Sequence, residues 1–207
     1  MTRYLCLDTS AGTSVAVVED ATTVAHATSA DRYGHAENLA PLVQRLLADQ
    51  RPDVVVVGTG PAPYTGLRVG IMTARTLAFA YDIPVWGVSV LDVLARQAFD
   101  TFPTTAQVCA VSDARRREVY AAVYEADGAD NVHRVRGPLV TAPAQVPDAE
   151  LYAGQVDLLP VQDAVLPLTV DPAVLARLGR ARHAVGAELP TEPLYLREPD
   201  IHRGARA

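Results

Sequence analysis

The sequence contains no lysine, and all 18 of its basic residues are arginine. Schiff-base enzymes, Ser–Lys dyads, P-loop nucleotide-binding proteins and protein kinases all use a lysine amine. The absence of lysine therefore excludes each of these mechanisms, and any chemistry of this chain has to rest on other side chains.

Cysteine is scarce as well, with only Cys6 and Cys109 present. The two lie far apart, each within an apolar run and without CxxC spacing, so we predict two buried free thiols. A disulfide or redox pair is the alternative. The N-terminus lacks the apolar core of a signal peptide, and no apolar run approaches the ~20 residues of a membrane span. We therefore expect a reducing, cytoplasmic location and no membrane partner.

Histidine patterns typical of metal sites and hydrolases are missing. The five histidines, at positions 26, 35, 133, 183 and 202, show neither HxH nor HxxxH spacing. We predict packing or surface roles for them, and no metal site. The sequence also has no HExxH or GxSxG motif. No residue is predicted to be catalytic.

Positive charge is in deficit, since the formal net charge is −6. A chain that wraps nucleic acid by itself needs a basic surface that neutralises many phosphates. Any contact with RNA is therefore expected to be local or shared with a partner protein. The basic cluster Arg115-Arg116-Arg117 is either a contact with tRNA or a partner, or a solvated hairpin turn, and the sequence leaves both interpretations open.

Hydrophobic residues make up 49% of the 207 residues, enough to bury the core of one large domain or two small ones.

The chain is organised around residues 53–81. Val54 to Val57 form an unbroken β-branched run, which predicts a central parallel strand. A glycine- and proline-rich turn then leads into a helix predicted from Gly66 to Tyr81. Such a turn can face a phosphate, but a P-loop requires a lysine where Leu67 and Arg68 stand.

Apolar periodicity predicts the order βββαβαβα for the first half and a second, β-rich half. Predicted strands cover 3–10, 13–19, 22–29, 54–57, 83–88, 107–113, 118–126, 131–140 and 151–154. Predicted helices cover 35–50, 66–81, 89–99 and 173–185. Pro41 either lies in the first turns of a helix that starts near Asn38 or kinks the helix. The repeated plan predicts a duplicated α/β fold with a reduced second copy, in lobes 1–102 and 103–207.

The helix after the central strand carries two stripes at helical spacing. One stripe suits the chain's own core and consists of Leu67, Ile71, Ala74, Ala78 and Tyr81. The other mixes residue types that protein interfaces favour and consists of Arg68, Met72, Arg75 and Phe79. The alternative for the second stripe is that its arginines extend over the edge of an ordinary core.

Asp8 ends the first strand and is followed by a hairpin that contains Thr9, Ser10 and Gly12. Actin-like and hexokinase-like ATPases begin in a similar way, with the hairpin backbone wrapped around the phosphates of the nucleotide. The alternative is that Asp8 and Ser10 form only a local Asx or ST turn.

Five segments together resemble the successive signatures of the bacterial TsaB family. They are LCLDTS (5–10), GTGPAPYTGLRVG (58–70), PVWGVSVLDVLA (84–95), VSDARRREVYAAVY (111–124) and PLYLRE (193–198). The segments span nearly the whole chain in the family's order. The resemblance implies an α/β actin-like, ribonuclease-H-like ATPase fold with two lobes, of which the C-terminal one is reduced.

The resemblance also implies a non-catalytic subunit that positions a TsaD-like protein. The complex forms N6-threonylcarbamoyladenosine at position 37 of tRNAs that read codons beginning with A. A TsaE-like ATPase takes part, tRNA is a partner only indirectly, and ATP and Mg²⁺ belong to the partner proteins, so we expect no tightly bound cofactor. The family uses its two N-terminal helices for this heterodimer, and for a homodimer when the chain is alone. Mapped onto this sequence, the contact would use Leu39, Leu42, Leu46, Arg68, Met72, Arg75 and Phe79.

Two departures from the superfamily pattern bear on chemistry. The catalytic partner carries two histidines at i, i+4 spacing where this sequence has Val90 and Leu94, which cannot bind a metal. The ATPases keep a glycine where this sequence has Ser10, whose side chain narrows the space for a phosphate. We therefore expect only a vestigial nucleotide site at Asp8, Thr9, Ser10 and Gly12. An ATP-dependent small-molecule kinase or ATPase and a glycoprotease-type metallopeptidase stay open as alternatives.

Overall fold

A computed structural model of the chain describes residues 1–29, 35–48 and 50–197, with the side chains at 35 and 36 left out. Its strands are β1 (Arg3–Asp8), β2 (Thr13–Glu19), β3 (Thr22–Ser29), β4 (Val54–Gly58), β5 (Val85–Val88), β6 (Val108–Arg115), β7 (Glu118–Asp127), β8 (Asn131–Thr141), β9 (Leu151–Gly154) and β10 (Val165–Pro167). Its α-helices are α1 (His35–Leu47), α2 (Tyr64–Tyr81), α3 (Val90–Thr101) and α4 (Pro172–Ala184). Two 3-10 helices cover Pro143–Gln145 and Val156–Leu158.

The ten strands form two five-stranded sheets with the same plan. The first has the order β3-β2-β1-β4-β5 and the second, read from its other edge, β8-β7-β6-β9-β10. In each sheet the first strand along the chain pairs antiparallel with the second and parallel with the fourth. In the second copy, 3-10 turns stand where the first copy has α1 and α2. The predicted duplicated α/β fold is confirmed, and its second copy is reduced in helices and not in strands.

The elements stack in layers that place α1 and α2 on the outside. These two helices cover one face of the first sheet, where Leu5 and Leu7 of β1 meet Leu67 and Ile71 of α2 in one buried cluster. Helices α3 and α4 lie between the two sheets, with α3 against the second and α4 against the first. The remaining face of the second sheet is covered by loops and the 3-10 helices. The two predicted lobes therefore share a core, and their boundary at residue 102 stays a sequence prediction.

The predicted elements occur in the predicted order, with small shifts at their ends. Helix α1 begins at His35 and contains Pro41 in its interior, while α2 begins at Tyr64, two residues before the predicted start. Ser89 is the N-cap residue of α3, and its side chain makes no capping hydrogen bond. The short strand β10 was not predicted. The tail from residue 198 onward lies outside the described residues.

Both cysteines are buried free thiols, as predicted. Burial raises the pKa of both thiols, that of Cys109 to about 12, so each packs as a small apolar side chain. Among the described residues, no helix is long and apolar enough to cross a membrane.

A buried charge cluster holds α3 against the strands and helix that face it. Asp92 of α3 is 2% exposed and accepts a hydrogen bond from the hydroxyl of Tyr124 at 2.7 Å. Its other oxygen pairs with Arg182 of α4 at 2.8 Å, and Arg134 of β8 lies 3.5 Å away. Burial, and then the charge of Asp92, raise the pKa of Tyr124 well above its usual value, so the phenol remains a neutral donor.

Candidate partner face and interlobe cleft

The outer face of α2 carries exposed apolar side chains. The stripe predicted to face the chain's own core is buried for Leu67, Ile71, Ala74 and Ala78, while Tyr81 is half-buried. On the outward side, Met72 is 57% exposed and Phe79 is 89% exposed. An aromatic ring left almost entirely in water on a regular helix is a feature of protein contact surfaces.

The two arginines of the second stripe contact a segment of the same chain. Arg68 donates from Nε to the hydroxyl of Tyr195 at 2.8 Å and from its terminal nitrogen to the hydroxyl of Tyr64. Arg75 donates to the hydroxyl of Thr191 at 2.8 Å and pairs with Glu192 at 3.0 Å. Arg68 and Arg75 therefore fasten a C-terminal segment, residues 187–197, which we name the C-terminal strap.

The strap links α2 to both sheets. The amide of Gly87 in β5 donates to the carbonyl of Leu189 at 2.9 Å, and the amide of Leu194 donates to the carbonyl of Thr59 at 2.8 Å. Arg197 then reaches the second sheet, where it pairs with Glu118 and donates to the carbonyl of Ala114. The strap thus runs from the edge of the first sheet to the β6–β7 hairpin.

The structure corrects the predicted role of the first helix in part. Leu39 and Leu42 are 1% and 8% exposed, because α1 packs its apolar stripe against β2 and α2. Neither leucine can meet a partner directly, and only the half-buried Leu46 remains near the surface. Between the two helices runs a groove of about 370 Å³, lined by Ala40, Val43, Gln44, Leu47, Gln50, Arg51, Thr73, Leu77 and Tyr81.

Asp8 lies at the mouth of the cleft between the two copies of the fold. It is 3% exposed, and its Oδ2 accepts hydrogen bonds from the hydroxyl of Ser10 at 2.8 Å and from the Ser10 amide at 3.3 Å. Its Oδ1 is buried without a hydrogen-bond partner among the described residues. Burial raises the pKa of this carboxyl to about 6. Gly58 makes the position possible, since a Cβ there would stand 2.4 Å from Oδ1.

The predicted nucleotide residues do not all face this cleft. Asp8 and Gly12 line a cavity of about 340 Å³ together with Thr13, Thr28 and Thr169. Ser10 lines a neighbouring cavity. Thr9 instead turns to α2, where its hydroxyl donates to the carbonyl of Gly66 at 2.8 Å. A Cβ on Gly70 would lie 2.3 Å from that hydroxyl. The absence of a side chain at Gly70 therefore allows Thr9 to pack against α2.

Val90 and Leu94 sit together on the buried face of α3 and line the cavity that Ser10 also borders. They give this cavity an apolar wall. Within the described residues, no group of three or more histidine, cysteine or acidic side chains is arranged to hold a metal ion. His183 packs its ring on Trp86 with the ring centres 4.6 Å apart.

The three consecutive arginines form the turn between β6 and β7. Arg115, Arg116 and Arg117 are all exposed and have φ angles of 62°, 57° and 63°. Asp113 supports the turn, because it accepts a hydrogen bond from the Arg115 amide at 2.7 Å and pairs with the Arg115 side chain at 3.1 Å. The hairpin turn is one of the two interpretations that the sequence left open, and the contact with tRNA or a partner stays a prediction.

Sequence reasoning missed Tyr64 of α2 and the strap residues Thr191, Tyr195 and Arg197. Their partners lie up to 131 positions away in the sequence, so no local pattern connects them. The only signal was the PLYLRE segment (193–198), whose Leu194, Tyr195 and Arg197 now have structural roles.

The chain is similar to known proteins in both structure and sequence. The structure of YeaZ from Pseudomonas aeruginosa is similar with a TM-score of 0.80 and 30% identity, covering 95% of this chain and 100% of YeaZ. The family model described as TsaD, tRNA N6-adenosine threonylcarbamoyltransferase, matches residues 24–156, more than half of the chain. The chain belongs to this family.

A curated relative identifies the chain as a TsaB-like member of this family. The Bacillus subtilis tRNA threonylcarbamoyladenosine biosynthesis protein TsaB is 35% identical over 129 residues, which is 58% of this chain and 54% of that protein. An uncharacterised protein of Mycobacterium tuberculosis is 39% identical over 178 residues, covering 82% of this chain and 78% of its own length. The predicted family resemblance is confirmed.

Proposed function

We propose that this TsaB-like chain is the non-catalytic partner of a TsaD-like protein. The pair acts in forming N6-threonylcarbamoyladenosine at position 37 of tRNAs that read codons beginning with A. The observation that carries the proposal is the outer layer of α1 and α2, which leaves Met72 and Phe79 in solvent beside an apolar groove. Covering a surface of this kind with a second protein is favourable, because apolar area is removed from water.

The partner face of this proposal consists of Met72, Phe79, Leu46 and the α1–α2 groove. Leu39 and Leu42 support it from below, since they hold α1 against the sheet. Arg68 and Arg75 border it while they hold the C-terminal strap. In the absence of the TsaD-like protein, the same face serves a homodimer, because two copies can cover each other's apolar side chains.

The burial and hydrogen bonding of Asp8 in the cleft support the non-catalytic role. The Asp8 carboxyl is already hydrogen-bonded by Ser10, and burial raises its pKa to about 6. The carboxylate is 3% exposed, which leaves little room for the several waters that Mg²⁺ keeps when it binds. ATP and Mg²⁺ therefore belong to the TsaD-like protein and a TsaE-like ATPase, and the complex works in the cytoplasm with tRNA as its substrate.

Reconstitution tests the proposal directly. Purified TsaD-like and TsaE-like proteins of the same organism are mixed with ATP, threonylcarbamoyl adenylate and a transcribed tRNA, with and without this chain. The modified nucleoside is measured by mass spectrometry. Modification should require this chain, and this chain alone should modify nothing. Equal rates with and without it would overturn the role.

A small-molecule kinase or ATPase is the second candidate. It is favoured by the position of Asp8 at the end of β1, beside a hydroxyl-lined cavity between the two sheets. Calorimetric titration with ATP and Mg²⁺ separates the two functions. Low-micromolar binding with turnover would support the kinase, while absence of heat at millimolar ATP supports the non-catalytic subunit.

A further inference from the structure

A cleft of about 180 Å³ lies where the N-terminal end of α2 meets the β6–β7 hairpin. Most of its lining is tyrosine and arginine, supplied by Tyr64, Arg115, Arg116, Tyr120, Tyr195 and Arg197, and the rest is Ala62, Pro63, Ala114 and Leu196. The walls come from three separate parts of the chain, namely α2, the hairpin and the C-terminal strap. Neither the proposed partner face nor the Asp8 site uses this cleft.

The charge at this cleft has the opposite sign to the chain as a whole, which carries −6. Arg115 and Arg197 are paired with Asp113 and Glu118. Arg68 stands behind Tyr64, and within the part of the chain that the structure describes it donates to two phenol oxygens, which are neutral. Its charge is therefore not cancelled by these contacts, and the cleft and its rim are a cationic spot on an acidic protein.

The backbone of the hairpin has a conformation that glycine adopts more readily than arginine. Arg115, Arg116 and Arg117 have φ angles of 62°, 57° and 63°, a region that costs an L-residue other than glycine about 1 kcal/mol or more. Glycine would adopt the same angles without that cost. Arginine at these three positions of the hairpin turn therefore lowers folding stability relative to glycine, which indicates that the side chains have a function of their own.

The aromatic walls add a second kind of contact. Tyr64 and Tyr195 stack with their ring centres 4.6 Å apart and an angle of 26° between them. The Arg68 guanidinium lies 3.6 Å from the centre of the Tyr64 ring. Guanidinium groups bind phosphate oxygens in a fixed fork, and tyrosine faces and arginine planes stack on unpaired bases. Tyr120 is 5% exposed and Tyr64 already stacks with Tyr195, so Tyr195, at 37% exposure, is the ring that can meet an unpaired base beside the phosphates of a ribonucleotide chain.

We propose that this basic and aromatic cleft contacts the backbone of the tRNA while the TsaD-like partner holds it. The inference rests on the proposed function, because it places the tRNA in that complex. The position of the cleft at the end of α2 fits this arrangement, since the same helix presents Met72 and Phe79 to the partner. The net negative charge of the chain makes the contact a local supplement to the binding by the partner.

Arg116→Gly together with Arg117→Gly is the test variant. Glycine suits the positive φ angles, so the variant should fold at least as well as the parent, which a thermal melt verifies. The matched control is Arg116→Lys with Arg117→Lys, which keeps both charges. Binding of a fluorescent, transcribed tRNA reading a codon that begins with A is measured by anisotropy, with this chain in complex with its TsaD-like partner, from 50 to 200 mM NaCl.

The glycine variant should bind tRNA about tenfold more weakly at low salt, with the slope of log affinity against log salt reduced by about 1 to 2, because Arg116 already makes a contact within the chain. The lysine variant should keep the parent's slope. Unchanged affinity and slope in the glycine variant would overturn the inference and leave the proposed function intact. Loss of the complex itself on size-exclusion chromatography would identify the cleft as a protein contact and also overturn it. Failure of the parent chain to join the partner, or of the complex to bind tRNA, would reject both proposals.

Discussion

Arg75 of α2 donates from Nε to the hydroxyl of Thr191 at 2.8 Å, across 116 positions of sequence. Thr191 is 8% exposed, whereas the Glu192 side chain that pairs with the same guanidinium is 75% exposed. The buried hydroxyl contact therefore contributes more than the ion pair, which water screens. Through this contact the helix that carries the proposed partner face also holds the C-terminal strap.

Arg75→Ala should loosen the strap without unfolding the protein. A hydrogen bond from a charged donor contributes about 1.5–3 kcal/mol, and partial exposure of Arg75 places this one near the lower end. The Leu194 amide, bonded to Thr59, and the Gly87 amide, bonded to Leu189, should then exchange with deuterium about tenfold faster. Hydrogen exchange followed by mass spectrometry measures this.

Arg45→Ala provides the control for the strap, because Arg45 is an exposed arginine on α1. It should leave both amides at the parent rate. If Arg75→Ala also leaves them unchanged, the strap is held by its backbone contacts alone.

Asp92→Ala should be the most destabilising single change in the buried charge cluster. It leaves Arg182 partly buried without its carboxylate and removes the acceptor of Tyr124. Breaking a buried pair in this way costs about 3–5 kcal/mol. Tyr124→Phe removes one hydrogen bond but keeps the ring and the ion pair, so it should cost about 1–2 kcal/mol. Urea unfolding of both variants measures the difference, and equal losses would contradict the network described here.

Asp8 makes the stability of the fold fall as pH rises. Its pKa is about 6 in the folded chain against an ordinary value of 3.8, so between these pH values the folded state binds a proton that the unfolded state has lost. The folded state is then favoured at the acidic end, and by pH 7 the difference corresponds to about 3 kcal/mol of lost stability.

Asp8→Asn should therefore raise the free energy of unfolding at pH 7.5 by about 1–3 kcal/mol, and change it little near pH 4. The amide keeps the shape of the carboxyl but carries no charge to desolvate. Urea melts across this pH range test the sign. Ser10→Ala serves as the comparison, because it removes the hydroxyl that stabilises the carboxylate, and it should lower stability at pH 7.5. Equal pH profiles for the parent and Asp8→Asn would refute the raised pKa.

Local sequence patterns predicted the helices and strands, because the spacing of apolar residues reflects which side chains are buried. Val54 to Val57 are all buried on a central strand with neighbours on both sides, so an unbroken β-branched run identifies them. Strand β10 escaped prediction because three residues carry no periodicity, and only pairing with β9 makes them a strand.

The candidate sites were harder to predict because their partners are distant in sequence. A helical stripe shows that Leu39 and Leu42 have to be covered, but not whether the cover is β2 and α2 or another protein. The same limit applies to Arg68, whose contacts with Tyr195 depend on a segment 127 positions away. Met72 and Phe79 were placed on the outward side correctly, since the opposite stripe of α2 fills the core.

Met72→Asp and Phe79→Asp should abolish association with the TsaD-like protein. Both side chains are exposed in the chain itself, so the substitutions should change its melting temperature little. In a complex, each carboxylate would be buried without a partner, at a cost of about 2 kcal/mol or more, which weakens association at least about 30-fold per site. Size-exclusion chromatography with light scattering measures the complex. Val135→Asp, an equivalent change on β8 at 41% exposure, should associate normally. A double variant that still forms the complex would place the contact on another face.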